Sequence, residues 1–100
     1  MSKFLVTYVG DGMPHDPELM AQAKAAFGEW LASAGAAVVD PGSPVATVSR
    51  VAAAEPAEEV SVNGYSIIEA ADADAAIALL QTHPFVGRGG TLQVSQFLAV

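Results

Sequence analysis

Residues 64–94 read GYSIIEAADADAAIALLQTHPFVGRGGTLQV, and the fold is decided there. The first eight of them mix β-branched, aromatic and small side chains. Tyr65, Ile67 and Glu69 share one face of a period-two strand; Ser66, Ile68 and Ala70 share the other. Asp72 stands at the N-cap position, where its carboxylate accepts from the open N–H groups of a first helical turn. Asp74 adds a negative charge near the positive end of the helix dipole. Ala73, Ala76, Ile77 and Leu80 then form an apolar stripe, with Asp74, Ala78 and Gln81 toward water. Pro84 stops the helix, because the residue before a proline is pushed out of the α region. His83 is thereby held at the helix C-terminus. Gly87, Gly89 and Gly90 supply a loop able to take positive φ, and residues 91–94 begin a last strand.

Working back toward the N-terminus, residues 3–9 alternate as a strand with Phe4, Val6 and Tyr8 on one face and Leu5, Thr7 and Val9 on the other. Apolar residues on both faces point to a central strand. A loop over 10–15, carrying Asp11-Gly12, leads to Asp16-Pro17-Glu18, a capping acid followed by a proline at the first helical position. A helix is expected over 17–34, with Leu19, Ala23, Phe27, Trp30 and Ala34 at helical spacing and Gly35 as a left-handed cap. A short strand over 36–39 follows, then a rigid turn at Asp40-Pro41-Gly42-Ser43-Pro44. Residues 45–51 (VATVSRV) alternate as a further strand. Residues 52–59 (AAAEPAEE) read as an exposed connector, and Asn63-Gly64 as a small hairpin or bulge.

This order describes one domain spanning residues 1–100. Its plan is α+β: a ferredoxin-like four-stranded antiparallel sheet, with a small extra strand or hairpin, and two helices on one face. Strands apolar on both faces leave the second sheet face in need of a cover, and a second copy related by two-fold symmetry meets that need.

Composition excludes several functions. Half the residues, 52%, are apolar, which suffices for a core. Four basic residues (Lys3, Lys24, Arg50, Arg88) face eleven acidic ones, for a net charge of −7. No basic footprint for nucleic acid or for an anionic membrane can be assembled from four cations. With no cysteine, disulfides, thiolate metal sites and cysteine nucleophiles are absent. No window reaches the length of a membrane span, and the N-terminal apolar run is too short for a signal peptide, so a cytoplasmic protein is expected.

Four segments carry a family resemblance: FGEW at 27–30, GAAVVDPGSPV at 35–45, NGYSIIEAADADAAIALLQTHPF at 63–85 and GGTLQV at 89–94. Together they span nearly the whole chain, and it resembles the YCII-related family of small proteins. The resemblance implies a dimeric α+β barrel, a homodimer, and a pocket between sheet and helices. Suspected enzymes among such relatives carry a histidine on the first helix and an aspartate near the end of the second. Here residues 17–34 contain no histidine, and the position before Pro84 is His83 rather than aspartate.

His83 is the first candidate for catalysis, since imidazole titrates near neutral pH and the glycine loop lies beside it. As a general base it needs a partner, for which Asp40, Asp72 and Asp11 are available. The alternative is a structural histidine that meets the last helical carbonyls. Asp40 either orients His83 or bonds the backbone of its own turn. The ligand-binding candidates are Trp30, Tyr65, Arg88 and His15. Trp30 either walls an aromatic site or fills the core at helical spacing, and Tyr65 offers a hydroxyl. Arg88, with the glycine loop, could hold a carboxylate or phosphate. His15 could line a pocket mouth. Two histidines 68 positions apart and scattered acids supply no metal-ligand spacing, and no cofactor is expected. These features describe a small-ligand-binding or accessory homodimer. The alternatives are a cofactor-independent enzyme acting through His83 and an interaction module docking through the acidic strip at 55–59.

Overall fold

A computed structural model describes residues 1–10 and 16–99. Four strands, β1 (Ser2–Val9), β2 (Val38–Pro44), β3 (Val62–Ala70) and β4 (Thr91–Gln96), form one antiparallel sheet in the order β2-β3-β1-β4. Helix α1 (Pro17–Ala34) follows β1, while α2 (Ala73–Leu80) and the short α3 (Pro84–Gly87) follow β3. Two β-α-β halves interleaved in this order make the ferredoxin-like α+β plan expected from the sequence.

Both long helices begin where their capping acids stand. Asp16 accepts from the Glu18 N–H at 2.8 Å, with Pro17 in the first turn. Asp72 accepts from the Ala75 N–H at 2.8 Å. Each cap satisfies one of the donors a helix N-terminus leaves open. Asp72→Ala is expected to cost about 1 kcal/mol in urea denaturation; an unchanged midpoint would show that α2 is held by its packing alone.

The core lies between the sheet and the helices. Phe4 and Val6 of β1, Ile68 and Ala70 of β3, Trp30 of α1, and Ala76 and Leu80 of α2 are its buried members. Tyr8, Phe27, Leu31, Val38, Leu92 and Val94 pack around them. The stripe expected on α2 is narrower than its spacing suggests: Ala76 and Leu80 are buried, but Ala73 and Ile77 are exposed. An eight-residue helix lying across a narrow sheet presents one edge only. On α1, Trp30 alone is fully buried, and Leu19 and Met20 near its start are half exposed. The first half of α1 therefore stands away from the sheet.

The middle of the chain departs from the sequence reading. The 40–44 turn is instead part of β2, an edge strand that breaks register between Val38 and Asp40 and again between Asp40 and Ser43. Edge position and bulging are what allow Pro41 and Pro44 into a sheet. Gly42 takes φ +79° here, and a Cβ at this position would lie 1.7 Å from the Tyr65 carbonyl oxygen. Residues 36 and 37 belong to a 3₁₀ turn, Gly35–Ala37, so β2 starts only at Val38. Gly35 does end α1 with positive φ, donating its N–H to the Leu31 carbonyl.

The strand expected over 45–51 does not form. After the Val45 N–H bonds the Asn63 carbonyl at 2.9 Å, the chain leaves the sheet edge, and Val48 and Val51 are 96% and 99% exposed. Valine-rich sequence makes a strand only where it packs on a partner strand or a core face, and with its valines three apart this segment offers no single face to pack. Of the hairpin or bulge expected at Asn63-Gly64, the bulge is present: the β1–β3 register steps from Tyr8–Gly64 to Val9–Val62 and leaves Asn63 as the extra residue. It is no hairpin turn, since it lies inside β3 and the paired strand β2 ends at Pro44. The 52–59 connector is exposed, as its composition indicates.

Phe4, Val6 and Tyr8 face the helices, as do Gly64, Ser66, Ile68 and Ala70 of β3. The opposite face carries Leu5, Thr7 and Val9 beside Tyr65, Ile67 and Glu69. From β4 it receives Thr91, Gln93 and Ser95, so it is apolar only along its centre. The principal extents of the chain are 44 × 41 × 19 Å. The smallest matches a single sheet-helix pair, since packed layers sit roughly 10 Å apart.

Candidate functional site

A cleft of about 550 Å³ opens under the first half of α1. Its walls come from β1, α1, β2, β3 and the His83–Arg88 segment. Helix α1 contributes Met20, Ala23, Lys24 and Phe27, which recur on one helical face. The bulged edge of β2 contributes 41–44, β3 contributes Asn63 to Tyr65, and β1 contributes Tyr8. His83, Pro84 and Phe85 close the inner end, and the exposed Arg88 stands at the edge.

His83 is 3% exposed and both its ring nitrogens are engaged. Nδ1 accepts from the Phe85 N–H at 3.0 Å, so the side chain caps the N-terminus of α3. Nε2 lies 2.9 Å from the Tyr8 hydroxyl. A ring that accepts at Nδ1 carries its proton on Nε2, and it therefore donates to the Tyr8 oxygen. Tyr8 is in turn 2.9 Å from the Ser66 hydroxyl, and Ser66 donates to the Pro41 carbonyl at 2.8 Å. The directions follow by elimination: Ser66 uses its proton on Pro41, so Tyr8 donates to Ser66, and Tyr8 accepts from His83. One polar chain thus links α3, β1, β3 and the bulge of β2 along the inner wall.

The electrostatics agree with this assignment. Burial, and behind it the charge of Arg88, hold the His83 pKa down to about 4 from the usual 6.5. Burial pushes the Tyr8 phenol above its ordinary value of 10.0, against a smaller opposing pull from the Ser66 hydrogen bond. Both groups are neutral at pH 7. In the unfolded chain the histidine binds its proton below about pH 6.5, whereas in the folded chain it stays neutral down to about pH 4. Acidification therefore favours the unfolded state across that window. Stability is expected to fall by about 2 kcal/mol between pH 7 and pH 5 through His83. In His83→Asn, which keeps a capping acceptor but no titrating ring, urea midpoints over the same range should lose most of that slope.

The sequence candidates separate. His83 lies on the cleft, but it caps the helix that follows it instead of the one that precedes it. The loop expected at 87–90 begins as α3, with Pro84 at its first position. Asp40 bonds the Gly42 N–H at 2.8 Å, inside its own bulge, and is no partner of His83. Asp72 is occupied as the α2 cap. Trp30 is a core residue: it is 6% exposed, donates to the Thr82 hydroxyl at 3.0 Å, and is not among the cleft residues. Tyr65 borders the cleft where Gly42 crosses its carbonyl, on a strand whose alternation turns its ring to the other face. Arg88 lines the cleft, with its guanidinium 5.8 Å from the Phe85 ring centre. His15 and Asp11 lie outside the described residues. Among the described residues, no group of three His, Cys, Asp or Glu side chains is placed to hold a metal ion, and no helix is long and apolar enough to cross a membrane.

Tyr8, Lys24, Ser66 and Phe85 belong to the site and were not singled out from the sequence. Tyr8 carried one signal. It shares the helix-facing side of β1 with Phe4 and Val6, yet its hydroxyl requires a partner inside. Phe85 is fixed by tertiary packing: its ring lies 5.2 Å from Tyr8, and a Cβ on Gly90 would come within 2.4 Å of it.

No family model and no curated protein matches the chain. Among solved structures, it is similar to 5-chloro-2-hydroxyhydroquinone dehydrochlorinase (TftG) from Burkholderia phenoliruptrix AC1100, in complex with 2,5-dihydroxybenzoquinone. The TM-score is 0.65 at 17% identity, covering 98% of this chain and 95% of that one. The two proteins share a fold.

Proposed function

We propose that this chain is a YCII-related, small-ligand-binding protein that works as a homodimer of the dimeric α+β barrel type. The observation that carries the ligand-binding reading is the cleft. Its volume of about 550 Å³ falls within the range of small-molecule sites. Its walls are mostly apolar, with Tyr8 and His83 at the inner end and Lys24 and Arg88 at the edge. The TftG structure, with 2,5-dihydroxybenzoquinone bound, supports a compact ring as the occupant.

The test is ligand-induced stabilisation. A panel of small ring compounds, with 2,5-dihydroxybenzoquinone first, is expected to raise the Tm of the native protein. Ala23→Phe, which fills the cleft from α1, should abolish the rise. Failure of every compound at millimolar concentration, or equal rises in both proteins, would contradict the reading.

The homodimer is supported by the uncovered sheet face and by total surface. The chain exposes 6799 Å², against roughly 5,300 Å² for a compact monomer of its mass. Sedimentation at twice the 10.2 kDa chain mass is the expected result; a strict monomer at high concentration would oppose it.

Acid–base catalysis through His83 receives less support. Nδ1 is taken by Phe85, and Nε2 holds a proton directed at Tyr8. In any reaction at this site, Tyr8 rather than His83 is the hydroxyl or ring group better placed to meet a ligand.

A further inference from the structure

We infer that the cleft selects an organic anion with a flat, apolar body, an assignment that rests on the ligand-binding reading above. Charge is the first observation. The protein carries eleven acids and four bases. Yet the described residues lining the cleft include two of those bases, Lys24 and Arg88, and none of the acids. Asp40, the acid nearest in sequence to the lining bulge, turns its carboxylate onto the Gly42 N–H. In a protein of net charge −7, a cleft edged by two cations runs against the field of the whole surface.

The inner wall points the same way. His83 presents its N–H to Tyr8, and Tyr8 holds a hydroxyl proton that now rests on Ser66. Rotation of that hydroxyl toward the cleft would offer an incoming oxygen a donor, while His83 continues to supply the Tyr8 oxygen with a hydrogen bond. Lys24 and Arg88 are donors without acceptor capacity. These three groups suit a ligand rich in acceptors, and a carboxylate or an ionised enol or phenol has that character.

The walls define the body of the ligand. Phe27 from α1 and Phe85 from α3 bring aromatic surface to the cleft, and Tyr8 lies against Phe85 with an interplanar angle of 26°. Flat rings match such surfaces through offset or edge contacts. A compact inorganic anion would leave them exposed.

Calorimetry with three probes of one shape isolates the charge: 1-naphthoate, 1-naphthalenemethanol and 1-naphthylmethylammonium. The native protein is expected to bind naphthoate about tenfold or more tightly than the alcohol, and the ammonium most weakly. Lys24→Gln/Arg88→Gln, at two exposed positions, should keep its Tm and lose the preference for naphthoate over the alcohol. Equal binding of all three probes, or a preference unchanged in the double variant, would overturn the anion assignment while leaving the cleft as a ligand site. Binding of none of them would overturn both.

Discussion

Gly42→Ala is expected to destabilise the chain by about 3 kcal/mol or more and to detach β2 from the sheet edge. Two costs add. At φ +79° a Cβ carries the strain of positive φ, about 1–2 kcal/mol. The new methyl also falls 1.7 Å from the Tyr65 oxygen, 2.6 Å from its carbonyl carbon and 3.2 Å from the Ser66 Cα. These are backbone atoms of a central strand and cannot swing aside, so overpacking adds roughly 2 kcal/mol. Gly35→Ala separates the terms. Gly35 also has positive φ, +58°, but nothing lies within 4 Å of its Cβ position, so only the strain of about 1–2 kcal/mol applies. Urea denaturation of the two variants should differ by roughly the collision energy. Equal losses would mean that the bulge does not press on β3. Because 41–44 form one wall of the cleft, Gly42→Ala should also lose ligand binding at temperatures where it remains folded.

His83→Ala is expected to cost about 3–4 kcal/mol, which is large for a single side chain on a ligand cleft. The cap on the Phe85 N–H contributes about 1 kcal/mol. The partner lost by the Tyr8 hydroxyl contributes about another 1 kcal/mol. The void left by the ring contributes the remainder. Tyr8, Phe27 and Trp30 pack around the imidazole at 5.2, 5.5 and 4.5 Å between ring centres, so little else can collapse into the space. His83→Asn should recover roughly the capping share, since asparagine is a good N-cap. Denaturation midpoints order the three proteins as native, Asn, Ala. An alanine variant within roughly 0.5 kcal/mol of the native protein would remove His83 from the structural account.

Two of the largest elements were legible from local chemistry. Asp16-Pro17 and Asp72 each stand where their helices start, because a capping acid acts on the residues beside it and needs no tertiary partner. The alternation in 64–70 placed Ser66, Ile68 and Ala70 on one face of β3, which is the face that meets the helices. Local pattern misled where burial decides the outcome. Residues 45–51 are rich in valine, but Val45, Val48 and Val51 are spaced by three, so they give no single buried strand face, and Val48 and Val51 end up exposed. Pro41 and Pro44 resemble turn residues, yet they sit in an edge strand whose bulges accommodate them.

The site was less legible than the fold, for a physical reason. His83 is marked by its chemistry, but its role depends on Tyr8, 75 positions away, and on Ser66 and Pro41 beyond it. No spacing within the sequence encodes that chain of hydrogen bonds. Lys24 is one lysine on a helix until the fold sets it beside Met20, Ala23 and Phe27 above a cleft edged by Arg88.

Amide ¹H–¹⁵N correlation spectra recorded during a titration with 1-naphthoate test most directly whether the space under α1 binds a small molecule. Saturable shifts are expected at Ala23, Lys24, Phe27, Gly42, Gly64, Phe85 and Arg88, with little change at the exposed residues Val48 and Val51. Shifts that scatter over the surface without saturating, or that centre on the exposed 45–60 segment or the open face of the sheet, would contradict binding there.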